Sequence, residues 1–77
     1  MKHEIFAVRD NKISAYLQPF FTLNKEIAIR AVTVAVNDPE DPMGKNPEDF
    51  ALFSLGTYDD TTGTIEPTPD LIVTGKQ

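Results

Sequence analysis

NKEIAIRAVTVAVN, residues 24–37, reads unmistakably as an amphipathic helix. Wound at about 100° per residue, it places Glu26, Arg30, Thr33 and Asn37 on one narrow polar stripe. The rest is apolar apart from Lys25 in the first turn. Ala28, Ala31, Val32 and Ala35 lie opposite the stripe and form the expected buried centre. Ile27 and Val34 occupy one flank, Ile29 and Val36 the other. A helix on one side of a sheet keeps about a third to a half of its circumference apolar, and here the share is roughly three quarters. Its β-branched residues give it mediocre intrinsic propensity, so tertiary packing must hold it. A flank is therefore left over. Either loops cover it, or Ile27 with Val34, or Ile29 with Val36, forms a subunit interface. The expectation is a homo-oligomer, most simply a dimer, because closed two-fold pairing is the commonest way to cover such a strip.

The segments on either side of the helix read as strands. Residues 2–9 alternate, with Ile5 and Ala7 on one side and Phe6 and Val8 on the other, and Asp10-Asn11 forms a turn. Ile13, Ala15 and Leu17 continue the alternation, so residues 2–9 and 13–17 predict a hairpin. Pro19 confines that ladder to an edge or ends it. Phe20 and Phe21 lead into the helix, Asn24 is its N-cap, and Leu23 and Ala28 form a weak hydrophobic staple. The helix must stop near Asn37-Asp38, ahead of Pro39.

Residues 38–47, DPEDPMGKNP, read as a loop, followed by a short helical turn from Pro47 with Asn46 as its cap. FALFSLGTY, residues 50–58, is the best strand in the chain. Simple alternation puts Ala51, Phe53, Leu55 and Thr57 on one face and Phe50, Leu52, Ser54 and Tyr58 on the other. Gly56 marks a bulge or a close backbone approach. Residues 59–63, DDTTG, predict a hairpin with Gly63 at positive φ. Residues 64–66 form a short return strand that Pro67 and Pro69 end, and in the tail beyond them Leu71, Ile72 and Val73 either pair on an edge or dock elsewhere. The expected organisation is one α+β domain over residues 1–66, with a C-terminal tail at 67–77. Its antiparallel sheet of three to four strands carries one amphipathic helix on one face.

The 77 residues make one small domain with a marginal core. Without cysteine there is neither a disulfide scaffold nor a thiolate metal site. The single histidine, His3, cannot build a metal site or a triad alone. No apolar run approaches the about 20 residues of a membrane span, and MKHEIF lacks a long apolar leader region. A soluble intracellular protein with no membrane association is expected. The net charge is −5, unevenly spread. Residues 1–36 hold five basic against three acidic residues, and residues 37–77 hold two against nine. That balance argues against indiscriminate coating of nucleic acid but leaves a local basic face in the front half.

No catalytic constellation is present, so no enzyme, metal or cofactor is expected. Asp38, Glu40 and Asp41 lack the alternating ligands and terminal glutamate of a calcium loop, and a solvated acidic loop is the weightier reading. Asp59 and Asp60 fit turn chemistry better than paired catalytic carboxylates. The front half does interleave aromatic and basic residues, which suits a surface for single-stranded DNA: rings stack on bases and cations meet phosphates. The candidate set is Arg9, Lys12, Tyr16, Phe21 and Lys25. The plainer alternative is that Phe6, Phe20 and Phe50 or Phe53 simply build the core, with Tyr16 the one ring expected to be exposed.

The blocks AYLQPFF, AIRAVTVAVNDPEDP and NPEDFALFSLGTYDDTTGTI, in that order, resemble the small nonstructural protein of gokushoviruses, microviruses with single-stranded DNA genomes. The resemblance covers residues 5–66. It implies a phage accessory protein in the host bacterial cytoplasm, acting in viral DNA replication or packaging through DNA or a host or viral replication protein. It carries over no active-site residues. The alternative is a protein-interaction module that redirects a host factor through the acidic second half.

Overall fold

The computed structural model describes residues 1–74, with backbone alone at residues 69–71, 73 and 74. Its elements are β1 (Lys2–Asp10), β2 (Ala15–Tyr16), β3 (Phe20–Thr22), α1 (Lys25–Val36), α2 (Pro42–Lys45), a 3-10 turn (Pro47–Asp49), β4 (Phe50–Asp59) and β5 (Thr64–Thr74). The strands form one curled antiparallel sheet in the order β2-β1-β4-β5, with β3 also on β1. The helix α1 lies on one face, so the chain is the α+β domain that the sequence predicts. No described helix is long and apolar enough to cross a membrane.

β2 and β3 are two pieces of one broken edge. β2 pairs Tyr16 with Arg9, and β3 pairs Phe21 with Ile5 and Phe20 with Phe6. Between them the Leu17 amide still donates to the Val8 carbonyl at 2.8 Å. Pro19 has no amide to donate, so it interrupts the edge rather than ending it. Phe20 and Phe21, read from sequence as a lead-in to the helix, are strand residues.

At the opposite edge, β5 runs across the expected domain end at Glu66. Its residues pair with β4 from Asp59↔Thr64 to Ala51↔Thr74. Pro67 and Pro69 do not terminate it, because an outermost strand needs donors toward one neighbour only, and irregular register near Pro67 absorbs the missing ones. Residues 75–77 of the expected tail lie outside the described residues.

The core is Phe6, Val8, Ala28, Val32, Met43, Phe50 and Leu52, with Phe20, Ile29, Ala35, Val36 and Ile72 packed against it. Asn24 caps α1 as expected, its side-chain oxygen accepting from the Ile27 amide at 3.0 Å. The helix is rolled toward its Ile29/Val36 flank, and Ala31 is exposed instead of buried. Burying two branched side chains removes more apolar area from water than burying one methyl group, so the roll is favourable. Ile29 and Val36 are thereby removed from the candidate interface, while Ile27 and Val34 stay 50% and 65% exposed. Leu23, expected to staple against Ala28, is exposed as well.

Part of the predicted loop is helical. The Asp41 carboxylate accepts from the Met43 amide at 2.9 Å and starts α2, which carries Met43 into the core. The turn at Pro47 forms, although the Asn46 side chain makes no capping bond.

Candidate nucleic-acid interface

Each strand of this sheet has two faces, and only one is covered by the helix. β1 directs Phe6 and Val8 toward α1, leaving His3, Ile5, Ala7 and Arg9 on the other side. β4 contributes Phe50 and Leu52 to the core and Ala51 and Phe53 to the reverse face. A bulge then changes its parity. Ile5 pairs with Gly56 and Phe6 with Ser54, so Leu55 is the extra residue. Tyr58, opposite His3, therefore joins the face of Phe53. Alternation without the bulge had put the two rings on opposite sides.

Four aromatic rings thus collect on the helix-free face. Tyr16 meets Phe53 edge-to-face with centroids 5.6 Å apart, and Phe21 meets Tyr58 in the same way at 6.0 Å. Ala7 is fully buried and Ile5 and Ala51 nearly so, forming a floor of small and aliphatic side chains. Above it Tyr16 and Phe21 keep 45% and 54% of their surface exposed. Ile65, paired with Tyr58, extends the apolar rim.

The electrostatics separate by face. Glu4, Asp10, Asp59 and Glu66 occupy strand positions on the helix side, and the register puts no carboxylate on the described strand positions of the reverse face. Arg9 is there, its guanidinium carbon 5.4 Å from the Tyr16 ring centre and its Nε–H donating to Asn11 Oδ1 at 3.0 Å. No described Lys or Arg side chain forms an ion pair with a carboxylate. At the far end, the Asp60 carboxylate accepts from the Met1 ammonium at 2.8 Å and lies 2.8 Å from His3 Nε2. The hydrogen bond from the ammonium, then that from His3, holds Asp60 down from 3.8 to about 2. Conversely, the bond to Asp60 raises the Met1 amine above its ordinary value.

Of the five residues singled out from sequence, the fold brings three together on this face: Arg9, Tyr16 and Phe21. Lys12 sits in the exposed β1–β2 turn, beyond Arg9, where its backbone amide bonds Asp10 Oδ1 at 3.0 Å. Lys25 opens α1 and belongs to the helix layer rather than to a strand of this face. Phe53 and Tyr58 were missed, and Gly56 was the available signal. The acidic loop uses its carboxylates on its own backbone: Asp38 accepts from the Glu40 amide at 2.9 Å, and Asp41 from Met43. Asp59 likewise accepts from the Thr61 amide at 2.9 Å. Among the described residues, no group of three or more His, Asp or Glu side chains could hold a metal ion.

No curated protein and no solved structure matches the chain. The family model described as phage ORF5 protein matches residues 3–77, from the first rungs of β1 to the end of the sequence. With nearly its whole length matched, the chain belongs to the phage ORF5 protein family.

Proposed function

We propose that this phage protein is a non-enzymatic accessory factor of the gokushovirus nonstructural type. It binds single-stranded DNA on the helix-free face of its sheet during genome replication or packaging in the host cytoplasm. One observation carries the reading: Tyr16, Phe21, Phe53 and Tyr58 share an uncovered face with Arg9, and no carboxylate stands at its described strand positions. Exposed rings on a sheet stack bases of any sequence, and a cation beside them holds phosphate. The acidity elsewhere disfavours non-specific coating and confines binding to this face.

Titration with labelled single-stranded DNA at two salt concentrations tests it. With two or three phosphates neutralised, affinity falls roughly ten-fold when salt rises fourfold. Combining Arg9→Glu with Lys12→Glu abolishes binding, whereas Asp59→Ala, on the helix side, does not. Absence of binding at low salt transfers the function to the second reading, capture of a host or viral replication protein by the acidic half. What favours that reading is the exposure of Asp38, Glu40 and Glu48, none paired with a described basic side chain.

The helix completes the proposal. On α1, Ile27, Ala31 and Val34 form an exposed apolar line about 10 Å long at 1.5 Å per residue. Two copies crossing antiparallel would set Ile27 of each against Val34 of the other, a self-complementary contact. It lies on the helix side, so a dimer keeps both aromatic faces open. Sedimentation at micromolar concentration reads the outcome: a dimer in the native protein and a monomer in Ile27→Asp support it, and a native monomer overturns it.

A further inference from the structure

The two ring pairs stand in a fixed relation along β1. Tyr16 is opposite Arg9 and Phe21 opposite Ile5; Phe53 is opposite Ala7 and Tyr58 opposite His3. Each member of the second pair is displaced from its counterpart by the same four residues of β1, which is about 13 Å at 3.3 Å per residue. Within each pair the β2 or β3 ring is the exposed one, and the β4 ring is half-buried and braces it edge-on. Between the pairs β1 presents Ala7 and Ile5, both too deeply set to offer a third platform, and no further Phe or Tyr stands on this face.

Stacked neighbouring bases lie about 3.4 Å apart, so adjacent nucleotides cannot reach both rings. A strand drawn out to about twice that spacing covers the distance in two steps. We propose that the face is a three-nucleotide site for extended single-stranded DNA: bases n and n+2 stack on Tyr16 and Phe21, the middle base lies unstacked over Ala7, and Arg9 receives a phosphate at the Tyr16 end. Phe53 and Tyr58 are positioning residues that fix the two rings before the strand arrives, lowering the ordering cost of binding. The inference rests on the single-strand reading above and gives it a length and a register.

Oligothymidylates of two, three, four and six nucleotides, end-labelled and titrated at low salt, test it. Affinity should step up between two and three nucleotides by roughly five- to hundred-fold, the worth of one stacked base. Beyond three it should grow only with the number of available registers. Removing the base from the central nucleotide of the trimer should leave affinity within about two-fold, while removing either end base should erase the step. Phe21→Leu keeps the floor covered at an exposed position and should erase the step for the intact trimer without weakening the dimer. A smooth rise with length, or a central base as important as the ends, overturns the three-nucleotide site while single-strand binding stands. Failure of a long oligothymidylate to bind at all removes the single-strand reading, and this inference with it.

Discussion

Leu52 and Phe53 are neighbours on β4, yet they belong to two different surfaces. Leu52 is fully buried under α1 beside Val8, whereas Phe53 lies half-buried on the reverse face, braced against Tyr16. Residue type does not separate the faces, since both are aromatic and aliphatic. The second layer does. A 77-residue chain with one long helix can cover one side of its sheet, and the other side must be covered by its own rings, standing edge-on over small residues. The helix-side core is closed and specifies the fold. The reverse face retains exposed apolar area, which the proposed binding would cover.

Truncating those two neighbours should expose the difference between a closed core and an open face. Leu52→Ala should cost about 3–4 kcal/mol, because it removes a fully enclosed side chain and leaves a cavity. That is a large part of the stability expected of so small a domain. Phe53→Ala should cost about 1–2 kcal/mol, since its ring is only partly buried and its loss leaves an open groove rather than an enclosed cavity. Urea titrations of both variants decide. Equal losses would mean that the reverse face is a second core, and the binding proposal would lose its basis.

Next in size is Gly56→Ala. Gly56 has φ 151°, and a Cβ there would collide with the backbone carbonyl of Glu66 on β5. Strain and collision together should cost about 2–3 kcal/mol. The same bulge sets the parity that carries Tyr58 to the aromatic face. Loss of stability with unaltered Phe21–Tyr58 ring contacts, read by NMR, would show that the bulge does not place Tyr58.

The distribution of what was legible in the sequence follows from that bulge. The helix and its cap came through because a 3.6-residue period over twelve residues and an asparagine at its start are local signals. The reverse face did not, because it depends on how strands pair. Gly56 could be read as a bulge, but its consequence, one residue of slip and a reversal of every later side chain, needs the partner strand to fix it. Tyr16 and Phe21 were legible as a pair of candidates. That they share a face depends on Pro19 interrupting an edge that resumes, which local sequence does not distinguish from an edge that stops. β5 was legible at residues 64–66 but not its run through Pro67 and Pro69, for the same reason: a proline is tolerated on an outermost strand and excluded from a central one, and sequence alone does not say which is outermost. Met43 entered the core from a segment whose prolines and glycine favoured a loop.

Gly63 gives a smaller effect of a different kind. Its φ is 72°, as the turn chemistry predicts, its amide donates to the Asp59 carbonyl at 2.8 Å, and an added Cβ would meet nothing within 4 Å. Gly63→Val should therefore cost only backbone strain, about 1 kcal/mol. The contrast with Gly56, where strain and collision combine, is the useful quantity. A loss at Gly63 equal to that at Gly56 would show that the hairpin end is packed more tightly than the structure has it.

The smallest effect concerns the clasp at the end of the aromatic face, where Asp60 joins the Met1 ammonium to His3. Its carboxylate is held at about 2 against an ordinary 3.8, first by the bond from the ammonium and then by that from His3. A depressed carboxyl contributes stability that is present above the unfolded value and is lost as pH falls toward the folded one. The window is therefore between about pH 4 and pH 2. The Met1 amine has the opposite sign: raised by the same bond, its contribution is present below pH 8 and fades as pH climbs through its folded value. Both groups are solvent-exposed, so the effect should be slight and should shrink in molar salt, where screening acts over about 3 Å. Asp60→Asn isolates it. Near neutral pH the variant should be slightly less stable than the native chain, and the two should converge as pH drops to 2. If urea midpoints measured from pH 2 to 7 differ by a constant amount, the asparagine acts through the turn and not through charge. The end of the aromatic face would then be held by backbone geometry alone.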